Sequence, residues 1–83
     1  MGEGTTKGYF RVGIGFNPSG DDMVTRIKVA AGDLIDLIES IDVPSPSDAF
    51  DNFPGEVARL KALAQTEIES AAMWAVKAQT KNR

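Results

Sequence analysis

The sequence predicts an all-α protein: a two-helix antiparallel hairpin with a short extended N-terminal arm, assembling as a compact homo-oligomer. Three observations carry this. Two long stretches repeat apolar residues three and four apart, a segment holding Pro44, Pro46 and Pro54 separates them, and a Gly-rich opening carries Tyr9, Phe10 and Phe16 without helical periodicity. With 83 residues and a formal net charge of -3, the chain is near the size at which a single core leaves stability marginal. A hairpin too small to cover its own apolar faces points to self-association.

Residues 1–8 read as a flexible N-terminus and 9–83 as one helical-hairpin domain. Gly8, Gly13, Gly15 and Gly20 punctuate Tyr9-Phe10-Arg11-Val12, Ile14 and Phe16, giving an extended arm over 9–16 and a turn at Asn17-Pro18-Ser19-Gly20. Asp21 or Asp22 caps the first helix, about 22–41. Its apolar positions are Met23, Val24, Ile27, Ala30, Ala31, Leu34, Leu37, Ile38 and Ile41. Gly32 inside this helix costs about 1 kcal/mol relative to alanine and marks a close backbone approach. A Pro-rich turn spans 42–53. The second helix, about 54–80, carries Val57, Leu60, Leu63, Ala64, Ile68, Ala72 and Val76 and overhangs the first.

Composition removes several function classes. The chain has no cysteine and no histidine, which excludes disulfides, thiolate zinc sites and imidazole acid–base chemistry. No apolar run reaches the roughly 18–20 residues of a membrane span, and the first residues lack a secretory core. Met1-Gly2-Glu3-Gly4-Thr5-Thr6 is a formal but short match to an N-myristoylation pattern. Gly13 to Gly20 resembles a phosphate loop without its terminal Lys-Ser/Thr. Asp33 with Asp36 has the spacing of any solvated helix face, and the two-residue spacing of Glu67 and Glu69 points their side chains apart. No catalytic or metal-binding residue is expected.

Charge is segregated. From Val29 to Ala58 the chain carries acids and no base, so the hairpin turn is an acidic tip. Lys7, Arg11, Arg26 and Lys28 precede it, and Arg59, Lys61, Lys77, Lys81 and Arg83 follow. An antiparallel hairpin gathers most of these at its open end, where a compact anion can bind despite the acidic total. Met73 and Trp74 read as core or subunit interface. Tyr9, Phe10 and Phe16 beside Arg11, Arg26 and Lys28 offer a flat face for a purine and donors for a phosphate.

The order of Phe16-Asn17-Pro18, then Leu34-Ile35-Asp36-Leu37-Ile38-Glu39, then Thr66-Glu67-Ile68-Glu69-Ser70-Ala71-Ala72-Met73-Trp74-Ala75 resembles the helical-hairpin domain of phage anti-CBASS and anti-Thoeris proteins, over about residues 9–80. The resemblance implies a sponge that binds cyclic oligonucleotide second messengers without cleaving them, in the cytoplasm of the infected bacterial host, and so blocks CBASS effectors. It implies no cofactor and no enzymatic activity. It implies a compact hexamer holding cyclic dinucleotides such as cGAMP between protomers and cyclic trinucleotides at separate sites. The family's arm aromatic matches Tyr9 or Phe16, and its base on the first turns of the helix matches Lys28 or Arg26. Gln65 stands where the family often has a base, and Asn17-Pro18-Ser19 replaces a His-Pro-Pro-like turn. The candidate cyclic-nucleotide-binding residues are Tyr9, Phe10, Arg11, Phe16, Asn17, Pro18, Arg26, Lys28 and Thr66. The Thr66 hydroxyl either serves a ligand or bonds its own helix carbonyl. The alternative is a helical module that inhibits a protein partner; duplex DNA or RNA is disfavoured by the acidic total.

Overall fold

The computed structural model describes residues 5–17, 20–43 and 53–81, and over them the chain is helical with no strand. Helix α1 spans Lys7–Val12, α2 spans Asp22–Glu39 and α3 spans Phe53–Lys81. Pro18 and nearly all of the expected Pro-rich turn lie outside the described residues, as do residues 1–4.

The arm expected to be extended is a helix. Thr6 caps it, its hydroxyl accepting from the Tyr9 amide at 3.1 Å, and Gly13 closes it in the left-handed region at φ 66, donating to the Phe10 carbonyl. Six residues cannot sustain a helix in water, so packing on α2 holds it. Gly8 is buried so tightly that an added Cβ would lie 2.0 Å from the Gly32 carbonyl oxygen, and one on Gly32 would lie 2.5 Å from the Tyr9 ring. The two glycines let the backbones meet. Three polar contacts then run along an acidic ridge of α2: Lys7 Nζ to Glu39 at 2.8 Å, the Gly8 amide to Asp36 Oδ1 at 2.7 Å and the Tyr9 hydroxyl to Asp33 Oδ1 at 2.7 Å. Lys7 and Gly8, expected in the flexible start, therefore belong to α1.

Asp21 caps α2 by accepting from the Met23 amide at 2.9 Å. The helix ends two residues short of the expected 41. There Lys61 Nζ donates to the carbonyls of Glu39 at 3.0 Å and Ile41 at 2.7 Å, offsetting the negative end of the helix. The 29 residues of α3 give about 44 Å against about 27 Å for α2, so α3 overhangs. Gln79 Nε2 reaches Asp21 at 3.1 Å, which sets the end of α3 beside the start of α2.

The buried stripe of α2 is Val24, Lys28, Gly32 and Ile35, and α3 contributes Gln65 and Ala72. Met23, Leu34, Leu37, Ile41, Leu60 and Leu63, whose spacing pointed to a core, are exposed. Charge is also less segregated than the sequence suggested. Lys7 and Lys61 fold onto Glu39 at the acidic end of α2 rather than gathering at the open end.

Candidate anion-binding cleft

The three helices meet around Gln65. Its Nε2 donates to Glu39 at 3.0 Å and to the Ile35 carbonyl at 3.3 Å, while its Oε1 accepts from Arg11 Nη1 at 3.3 Å. The side chain is 2 % exposed, so a buried amide with both ends partnered links α1, α2 and α3. Lys7 and Gln65 together hold the Glu39 carboxyl down to about 2 against an ordinary 4.5, with the Lys61 charge adding to them.

One turn further along α3 the same Arg11 turns to Glu69. Arg11 Nη2 and Nε donate to Glu69 Oε1 at 2.7 and 3.1 Å, and Nη2 makes a longer contact of 3.4 Å to the Thr66 hydroxyl. Beside this pair opens a cleft of about 190 Å³. Its charged groups come one from each helix, Arg11, Lys28 and Glu69, and its apolar lining from Val12, Ala72, Met73 and Val76.

Lys28 is the unusual member. The residue is 8 % exposed, because it occupies the buried stripe of α2. Its ammonium donates to the carbonyls of Gly13, at 3.0 Å, and Phe16. An ammonium has three donors, so one remains after these two bonds. No carboxylate among the described residues pairs with it. It also lies 5.5 Å from the centroid of the Phe16 ring, a cation–π distance. The turn after α1 is thus tied to a buried cation, with an exposed aromatic over it.

The structure brings Arg11, Lys28, Phe16 and Thr66 of the expected site residues into this neighbourhood. Thr66 accepts from Arg11. Phe10 and Phe16 have open faces, at 78 % and 72 % exposure. Tyr9 is half-buried with its ring against Gly32 and its hydroxyl on Asp33, whose acceptor bond, together with burial, raises its pKa above 10.0. Asn17 Nδ2 donates to the Thr25 hydroxyl at 2.8 Å and to the Asp21 carbonyl at 2.9 Å, fastening the turn to the start of α2. Arg26 is exposed and does not line the cleft; two residues from Lys28, it faces about 200° around the helix. Gln65 and Glu69 were not among the candidates. Gln65 stood out only as a replacement for the family's frequent base, and Glu69 looks like any solvated acid until α1 places Arg11 against it.

Fold and cleft together define a helical-hairpin protein with a docked N-terminal helix and a two-cation, one-anion cleft. A family model described as "Acb2/Tad1, hairpin domain" matches residues 7–80, and the chain belongs to that family. Membership marks it as a phage anti-defence protein of the cyclic-nucleotide sponge type. No curated protein and no solved structure matches the chain. No helix among the described residues is long and apolar enough to cross a membrane.

Proposed function

We propose that the protein sequesters cyclic di- and trinucleotide messengers such as cGAMP without cleaving them, and thereby withholds them from host CBASS effectors. The observation that carries this reading is the buried Lys28 residue, with no carboxylate partner among the described residues, lining a cleft it shares with Arg11. A phosphodiester oxygen is an anionic acceptor for the one donor left after the Gly13 and Phe16 carbonyls. Phe16 over the ammonium offers a face for a purine. Phe10 adds a second exposed ring, and Tyr9, held by Asp33, fixes α1 beside the site.

The cleft of about 190 Å³ is smaller than the ~300–1,000 Å³ of sites that enclose a drug-sized ligand, so one protomer holds only part of a cyclic dinucleotide. A second protomer completes the site. The exposed Leu37, Leu60, Leu63, Met73 and Trp74 supply the apolar surface for such an assembly, which we assign as a homohexamer. Each stacked base contributes about 1–3 kcal/mol and each charged hydrogen bond about 1.5–3 kcal/mol. Doubled across two protomers, these give about 5–12 kcal/mol gross, whose upper end matches the ~12 kcal/mol of nanomolar binding.

Native mass spectrometry with a panel of cyclic di- and trinucleotides tests the reading. The expected result is a discrete oligomer gaining a fixed number of intact ligand masses. Lys28→Met, which keeps the buried stem and removes the charge, is expected to weaken cyclic-dinucleotide binding at least about tenfold, the loss of one charged hydrogen bond. An oligomer that takes up no cyclic nucleotide overturns the proposal and shifts the assignment to a protein partner.

A further inference from the structure

The cleft has a charge count. Arg11 and Lys28 bring one positive charge each and Glu69 one negative, and these three are the charged groups that α1, α2 and α3 present to it. Glu69 is bound to Arg11 through a single carboxylate oxygen; Lys28 has no carboxylate partner among the described residues. The side chains lining the cleft therefore sum to one net positive charge.

We propose that Glu69 is the specificity-determining residue of this cleft, setting its charge to accept the single negative charge of a phosphodiester and to reject a phosphomonoester. The proposal rests on the cyclic-nucleotide reading given above and names which chemical form of the nucleotide the cleft takes. A diester brings the site to neutrality. A terminal phosphate carries about −1.5 to −2 at pH 7, which leaves an excess negative charge facing the Glu69 carboxylate. Solvent screens this only in part: Lys28 is buried, and the side chains of Arg11 and Glu69 are 22 % and 38 % exposed, Glu69 being the most open of the three. Charges in such a setting interact several times more strongly than in bulk water.

If Glu69 only oriented Arg11, a glutamine could do the same through its side-chain carbonyl. Selection by charge is the property a glutamine would lose. A cyclic dinucleotide has diesters alone, whereas its ring-opened product ends in a monoester. A sponge built this way holds the intact messenger and releases the linear form.

The test is calorimetric titration of the full chain and of Glu69→Gln with 3′,3′-cyclic GMP-AMP and with its linear, 5′-phosphorylated counterpart. The wild type is expected to prefer the cyclic form, and Glu69→Gln to narrow that preference about tenfold, mostly by tightening the linear ligand. A second arm uses the phosphate itself. Its second pKa is about 6, so lowering the pH from about 7.5 to about 5 removes the extra charge and should narrow the wild-type preference, with a smaller effect in Glu69→Gln. A preference that is the same in both proteins, or independent of pH, overturns charge selection while leaving the sponge intact. Binding of neither ligand by either protein overturns the sponge reading and this proposal with it.

Discussion

The docking of α1 on α2 is decided by one missing atom, and restoring it gives a sharp test. In Gly8→Ala the new Cβ would sit 2.0 Å from the Gly32 carbonyl oxygen and 2.8 Å from Asp36 Oδ1. A carbon–oxygen contact wants about 3.3 Å, and the nearer obstacle is helix backbone, so α1 must retreat by about 1.3 Å. That retreat stretches the bond from the Gly8 amide to Asp36, now 2.7 Å, beyond hydrogen-bond range, at a cost of about 1.5–3 kcal/mol for a bond to a charged acceptor. Alanine returns at most about 1 kcal/mol through helix propensity. The net loss is about 0.5–2 kcal/mol, and more once the Tyr9 and Lys7 contacts loosen. For a domain of this size each kcal/mol lowers Tm by about 4–8 °C. Thermal unfolding by circular dichroism should show the drop, and amide exchange in α1 should accelerate. Gly15→Ala is the control, because a Cβ there meets nothing within 4 Å, and its Tm should match the wild type. If Gly8→Ala also melts and exchanges like the wild type, the glycine contact does not hold α1.

Three further outcomes follow from the same contacts. Gln65→Leu fills the volume but leaves Glu39 and Arg11 without a shared partner, and should destabilise by about 1–3 kcal/mol in a urea melt. Tyr9 is the only tyrosine, so phenolate absorbance reports it alone. Its pKa is raised chiefly by its bond to Asp33, and Asp33→Asn should bring it back toward 10.0; because the folded value is the higher one, the associated stability is present below pH 10 and lost as the pH rises through it. The Glu39 carboxyl, held to about 2 by Lys7 and Gln65, shifts in the opposite sense. Its contribution is present above about pH 4.5 and disappears as the pH falls toward 2, so Glu39→Gln should flatten the acid limb of a stability–pH curve recorded from pH 6 to pH 2.

The two long helices are legible because apolar spacing, the Asp21 cap and the prolines after Val43 agree with one another. The first helix was not legible. Four glycines between residues 8 and 20 read as chain freedom, yet Gly8 is there for close contact and Gly13 for a left-handed cap, two uses that composition cannot distinguish from flexibility. Six residues also offer too little periodicity to register. Lys28 illustrates the reverse difficulty. Its position in a stripe with Val24 and Ile35 is visible in the spacing, but a lysine there reads as a break in the apolar face until the turn after α1 brings two carbonyls to its ammonium. The exposed apolar residues mark a limit of a different kind, since helical spacing reports which residues seek burial without saying whether the same chain or a neighbour provides it.

Burying Lys28 is costly where the buried hydrophobic residues, among those described, are Val24, Ile35 and Ala72. Two carbonyls and the Phe16 ring stabilise its charge in part but supply no full counter-charge. In a small domain that cost is a sizeable fraction of a total stability near 5–10 kcal/mol. It becomes intelligible if the charge is completed by something the chain does not contain. On the sponge reading an anionic ligand supplies the missing counter-charge, and a site saturated at a hundred times its Kd gains about 2.7 kcal/mol of stability by mass action. The same argument accounts for the contrast between the two cations. Arg11 is neutralised within the protomer by Glu69 and stays planar and fixed, ready to be shared, whereas Lys28 is left charged where water is scarce. A cleft with both cations paired would fold more easily and bind anions poorly. One with both unpaired would bind any phosphate and resist folding. On the sponge reading, one paired and one unpaired cation reconciles folding with retention of a singly charged diester.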